Sequence, residues 1–162
     1  MKQQDCFKYA YIAGLIDGEG CITILKSNGG HSLTVSINQN DGRILDYCYG
    51  VFGGAIYINK DIRNPNKLWK WQVTNEKAME MLKKIYPFLT RKKIEAETAI
   101  EFEKHKRIFL KKWRKSFGVK GIAGAQVTHQ PEYMHKYKEE KYLKLQQLKR
   151  QLQEPRAAVT TN

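Results

Sequence analysis

Long apolar runs are missing from this chain. No stretch approaches the roughly 18 consecutive apolar residues that a membrane span needs, so no membrane partner is expected. The opening residues, Met1-Lys2-Gln3-Gln4-Asp5, lack the apolar run and small-residue cleavage site of a signal peptide. Cysteine is scarce: Cys6, Cys21 and Cys48 show no CxxC spacing, and an odd number argues against a disulfide framework. An intracellular, reducing compartment (cytoplasm or organelle matrix) is the expectation. His31, His105, His129 and His135 are dispersed, which supports neither a zinc site nor a histidine-metal centre. Internal repeats are absent too. Negative charge is in short supply: 29 Lys and Arg face 16 Asp and Glu, for a net charge of +13. The excess is uneven, with 9 basic against 8 acidic residues in 1–80 and 20 against 8 in 81–162. Such a field favours a polyanion, nucleic acid first, through counterion release. Solvated helix faces also carry many lysines, so charge alone leaves both readings open.

What is present centres on Ile12-Ala13-Gly14-Leu15-Ile16-Asp17-Gly18-Glu19-Gly20. An apolar helical pattern from about Phe7 runs into it, and Gly18 and Gly20 are expected to stop the helix. Cys21-Ile22-Thr23-Ile24-Leu25 then reads as a strand, which fixes a carboxylate at a helix-to-strand corner. Ala13 and Gly14 leave the helix lean at its middle, as a close helix–helix seam requires. A second copy across that seam would bring two Glu19 side chains together on a two-fold axis, able to hold a divalent metal. An ordinary helix C-cap with two solvated acids is the alternative.

The remainder reads as one domain over residues 1–153, with a core of about 7–110 and a C-terminal helical extension of 111–153. Residues 31–39 alternate strictly and form a hairpin with 21–27 around Asn28-Gly29-Gly30. Asn40-Asp41 cap a helix carrying Ile44, Cys48, Val51 and Phe52, closed by Gly53-Gly54. A second hairpin joins Ala55–Asp61 to Leu68–Thr74 through Arg63-Asn64-Pro65-Asn66. Asn75 caps a helix bearing Ala78, Met81, Leu82 and Ile85, closed by Pro87. A helix over 92–115 buries Ala99, Phe102, Phe109 and Trp113 beneath a basic surface of Lys104, Lys106, Arg107, Lys111, Lys112, Arg114 and Lys115. After a glycine-rich loop at 116–130, another helix runs from Pro131 to about Gln153 with Tyr137, Leu145, Leu148 and Leu152 on one side. A disordered tail is expected over 154–162. The class is α+β, in the order α-β-β-α-β-β-α plus an extra C-terminal helix. Four antiparallel strands covered on one side leave a polar face of Thr23, Leu25, Ser27, Ser32, Thr34, Ser36, Asn38, Lys70 and Gln72. β-ribbons fit the DNA major groove, and such side chains match base edges; a merely solvated face is the alternative. From the third strand either face can serve.

The nine residues 12–20 resemble the signature of the LAGLIDADG homing endonucleases. Ile12 stands for the leading Leu, Gly18 for the second Ala and Glu19 for the final Asp. A single motif implies a homodimer, with Ala13, Gly14 and Asp17 at the interface and Asp17 capping helices there. The resemblance also implies a four-stranded saddle sheet along double-stranded DNA, with helices on the other face. By that resemblance Glu19 and the Gly18 carbonyl ligate metal, Gln39 orders water, and Lys92 and Arg43 offset developing charge. Lys92 follows Pro87-Phe88-Leu89-Thr90-Arg91, with Lys93 adjacent as the other choice of register. The last 50 residues match nothing in the family pattern and read as a lineage-specific, DNA-contacting extension.

The activity implied is a metal-dependent, staggered double-strand cut in a long pseudo-palindromic site, by a protein encoded in a mobile intron. Mg2+ is the expected metal, with Mn2+ substituting and Ca2+ supporting binding without cleavage. Two rivals use the same fold. One is an intron RNA maturase with RNA on the 104–115 surface; the other is a DNA-binding regulator that does not cut.

Overall fold

The computed structural model describes residues 3–27, 30–59, 68–116 and 132–153. Helix α1 (Gln3–Glu19) leads into strand β1 (Gly20–Ser27), which pairs with β2 (Gly30–Gln39). Helix α2 (Gly42–Phe52), strands β3 (Ala55–Asn59) and β4 (Leu68–Thr74) and helix α3 (Asn75–Ile85) follow. A single 3-10 turn at Tyr86–Phe88 precedes α4 (Lys93–Ser116), and α5 (Glu132–Gln153) ends the described chain. The four strands form one antiparallel sheet in the order β1-β2-β4-β3. The architecture is thus α+β with a helical C-terminal addition, as the residue pattern predicts.

One face of the sheet is the core. Ile22 and Ile24 from β1, Leu33, Val35 and Ile37 from β2, and Trp71 and Val73 from β4 are buried on it, at the alternate positions that a strand directs to one side. Helix α1 adds Ile12, Ala13 and Ile16, all with no exposure. Each such isoleucine is worth about 1.5–3 kcal/mol of burial, enough to hold α1 on its own sheet. Ala78, Met81, Leu82 and Ile85 of α3 are buried as expected. Leu45 rather than Ile44 joins Cys48 as the buried pair on α2, whose N-cap is Asp41 accepting from the Arg43 N–H.

Several expectations need correction. Helix α1 begins four residues earlier than Phe7 and runs through Gly18 to Glu19, so Gly18 does not stop it; β1 begins at Gly20. Thr74, not Asn75, occupies the N-cap of α3, and Asn75 takes φ +50° while its side-chain oxygen accepts from Lys106 Nζ at 2.9 Å. Lys106 is therefore not part of an outer basic surface. It lies on the inner stripe of α4, buried, and pairs with Glu103 at 2.5 Å. Arg107 pairs with Glu76, which leaves Lys104, Lys111 and Lys112 as the exposed cations among the described side chains of 104–112. The turns at Asn28-Gly29 and 63–66, the loop after 116 and the tail after 153 lie outside the described residues, as do the side chains of Trp113 and Leu152.

Helix α5 packs on α4 and on β1, one edge of the sheet. Glu139 reaches Lys26 Nζ at 2.8 Å and His31 Nε2 at 3.3 Å. On the α4 side Lys141 pairs with Glu101 at 2.8 Å, and Tyr137 stacks on His105.

Candidate active site at the end of helix α1

A close backbone approach fixes the corner between α1 and β1. A Cβ on Gly20 would stand 2.6 Å from Ile16 Cα and 2.8 Å from Ile16 O, so the chain turns there only with glycine. Glu19, one residue before, is exposed and makes no hydrogen bond or ion pair with any described residue. The fold around it is tied twice. Asp17 Oδ2 accepts the N–H of Thr90 at 2.7 Å and of Arg91 at 3.2 Å, and its Oδ1 accepts that of Lys92 at 2.9 Å. These are unpaired N–H groups where α4 begins, so Asp17 caps α4 from another helix.

Lys92 returns the tie. Its Nζ donates to the carbonyls of Ile16 at 2.7 Å, Asp17 at 3.1 Å and Gly20 at 2.7 Å. An ammonium has three hydrogens, so all are used on the carbonyls that close α1, where the helix dipole favours a cation. Burial, with help from Arg91, pulls the Lys92 pKa below its ordinary value. Lys93 points away, exposed, with its Nζ 5.5 Å from the centre of the Tyr86 ring. Of the two adjacent lysines, the structure brings Lys92 to α1.

Behind the corner lies a cavity of about 280 Å3 lined by Gly18, Gly20, Cys21, Ile22, Arg91, Lys92, Glu95 and Lys149. Glu95 is 4% exposed, its Oε1 has no hydrogen-bond partner, and burial pushes its carboxyl pKa up. Lys149, from α5, sets its Nζ 3.1 Å from Cys21 Sγ. Two larger grooves of about 700 Å3 each run along α4, and neither is lined by any residue of α1.

The other sequence candidates fall in three groups. Gln39 ends β2 opposite Trp69 and shares the alternation of Leu33, Val35 and Ile37, which places it on the helix side of the sheet. The Arg43 side chain is exposed and held by Asp41, with Nε 3.0 Å from both carboxylate oxygens and Nη2 2.6 Å from Oδ2. Those bonds hold the Asp41 carboxyl down at about 2 and raise the pKa of Arg43. The structure therefore uses Arg43 at the start of α2. Ala13 has no exposure and packs in the protomer's own core, and Asp17 is engaged by α4. The small residues of α1 left open are Ala10, Gly14 and Gly18, beside exposed Phe7 and Tyr11.

On the polar face Leu25, Ser27 and Asn38 are exposed, and Ser32, Lys70 and Gln72 are half-buried. Thr23, Thr34 and Ser36 are buried, at 7%, 2% and 5% exposure. They occupy the middle of the face, Thr34 lying between Thr23 and Thr74, where cross-strand neighbours cover short side chains. The face is therefore open in parts only. The β3 register settles which side of that strand joins it: Tyr57 lies opposite Lys70, 50% exposed, and Ala55 opposite Gln72. Sequence reasoning missed Tyr57 for want of that register. It also missed Glu95, whose signal was present four residues before Ala99 and seven before Phe102, a carboxylate on an apolar stripe.

Among the described residues no group of three or more His, Cys, Asp and Glu stands ready to hold a metal. One protomer thus offers a single free carboxylate at a glycine-flanked corner. A family model described as LAGLIDADG endonuclease matches residues 12–109, from the α1 motif through most of α4. The chain belongs to this family. Among solved structures, the archaeal intron-encoded homing endonuclease I-Vdi141I complexed with DNA is similar at 19% identity and a TM-score of 0.63, over 96% of this chain and 89% of that one. The homing endonuclease I-CvuI, in complex with the I-CreI target, is similar at 16% identity and a TM-score of 0.56, over 90% and 98%. I-TnaI, another homing endonuclease, gives 18% and 0.55, over 90% and 95%. These likenesses establish the LAGLIDADG endonuclease fold. Coverage of 96% also takes the likeness to that structure past residue 110.

Proposed function

We propose that this chain is a homodimeric, metal-dependent, site-specific DNA endonuclease that makes a staggered double-strand cut. The observation that carries the reading is Glu19: an exposed, unengaged carboxylate beside Gly18, on a corner that Gly20, Asp17 and Lys92 hold rigid. A carboxylate and a backbone carbonyl are hard oxygen donors of the kind that both Mg2+ and Ca2+ take. One protomer supplies too few of them, so Glu19 of a second protomer and phosphate oxygens would complete the set. Bound there, the metal would supply charge neutralisation on the phosphate and an acidified water. Two structures of I-CvuI bound to DNA, one in 2 mM Mg with the DNA not cleaved and one in 2 mM Ca, are in keeping with use of a divalent metal.

The chain's own residues then divide the work. Glu19 holds the ion. Lys92, fixed on the α1 carbonyls, places a positive charge behind the phosphate without moving during the reaction. Gln39 orders water from the end of β2. Arg43 reaches the phosphate only by releasing Asp41. The partly open polar face, with Lys70, Asn38 and Tyr57, lies in the major groove. The apolar outer side of α1 (Phe7, Tyr11 and Gly14) meets its copy, since a helix apolar on both sides needs cover on both.

Selection of a randomised duplex library in Ca2+, followed by Mg2+ and sequencing of cut ends, tests the reading. Defined, staggered cuts in a near-palindromic site are expected. Enriched duplex that is never cut would leave a DNA-binding regulator, and no enrichment would point to structured RNA.

A further inference from the structure

A buried carboxylate without a partner costs stability, and native structures keep few of them. Glu95 comes close to this: it is buried on the inner stripe of α4, in its first turn, and although it has a backbone hydrogen bond its Oε1 has no partner. It opens on the 280 Å3 cavity behind Glu19, whose walls carry Arg91, Lys92 and Lys149, and it is the acid among the lining residues. A polar space of that size takes several waters. Since the Lys92 hydrogens all go to backbone carbonyls, Glu95 acts on Lys92 through its charge and through water rather than by a direct bond. Lys149 brings a third cation, from α5, beyond the stretch that the family model matches.

We propose that Glu95 is a positioning residue of the nuclease centre. From the cavity it orders the water behind the Gly18–Glu19–Gly20 corner and keeps the Lys92 ammonium seated on the last carbonyls of α1, with Lys149 closing the cavity from α5. The inference rests on the nuclease reading, and it accounts for the carboxylate oxygen that the folded chain leaves without a partner.

The test uses the full chain with Glu95→Gln and Glu95→Met, and three readouts. In the DNA-free protein, 15N spectra of the lysine ammonium groups follow hydrogen exchange at Lys92; exchange is expected to speed up about tenfold or more in Glu95→Met. The thermal midpoint is expected to stay level or rise in both variants, because a buried carboxylate with an unpartnered oxygen is gone. On the selected duplex, affinity in Ca2+ should stay within about threefold, while single-turnover cleavage in Mg2+ falls at least about tenfold for Met and less for Gln, which still binds water. Wild-type cleavage rates in Glu95→Met, or a lowered midpoint with unchanged Lys92 exchange, would overturn the proposal. If the wild type cuts no selected duplex, the nuclease reading fails, and the exchange at Lys92 alone decides whether Glu95 positions it.

Discussion

At the α1–β1 corner, side chains one or two residues apart do different jobs, and substitutions should separate them. Gly20→Ala drives a Cβ into the backbone of Ile16, so stability should fall by about 1–3 kcal/mol in urea denaturation, since backbone rather than a flexible side chain must give way. Asp17→Ala strips the acceptor from three N–H groups at the start of α4 and should cost about 1–2 kcal/mol in the same assay. Glu19→Gln removes no bond to any described residue, and its unfolding midpoint should match the wild type. The Glu19 position was legible because the motif has few other readings. The engagement of Asp17 and Lys92 was legible only in outline, since their partners lie more than 70 residues away in the chain. Arg43 is held for a local reason: Asp41, two residues back, forms a three-bond clamp that a spacing argument ignores.

Elements with one apolar stripe, such as α3 and β4, were readable residue by residue, because a 3.6- or 2-residue period has a single way to face a core. Helix α5 shows the limit. Its extent follows from its pattern, but its seat on β1 depends on Glu139 meeting Lys26 and His31, and no local signal encodes that. The seat carries a pH dependence. The His31 side chain is 7% exposed, and burial lowers its pKa below 6.5 against the pull of Glu139. As pH falls through 6.5, the unfolded chain takes up a proton that folded His31 takes only lower, so stability is present above that pH and declines below it. Glu139 stays ionised there, its own pKa lowered by Lys26, so the change belongs to His31. Protection factors of the α5 amides, which take out the intrinsic pH dependence of exchange, should therefore fall from pH 7 to pH 5, and His31→Gln should flatten that response.

For the whole molecule, the sheet order β1-β2-β4-β3 was not readable from alternation, which gives faces but not neighbours. The outer side of α1, with Phe7 69% exposed and Tyr11 50% exposed beside Gly14, is the largest apolar feature of that helix left uncovered by the protomer. Gly14→Leu has room in the protomer, where nothing lies within 4 Å of the added Cβ, yet should keep two copies apart. Light scattering should then report the mass of one chain for the variant and two for the wild type. The central claim is that Glu19 is the metal-holding acid of a DNA-cutting dimer. Single-turnover cutting of the selected duplex in Mg2+, beside its affinity in Ca2+, tests this in wild type and Glu19→Gln. The account predicts that the variant binds within about tenfold of the wild type and does not cut; a variant that cuts at the wild-type rate would contradict it.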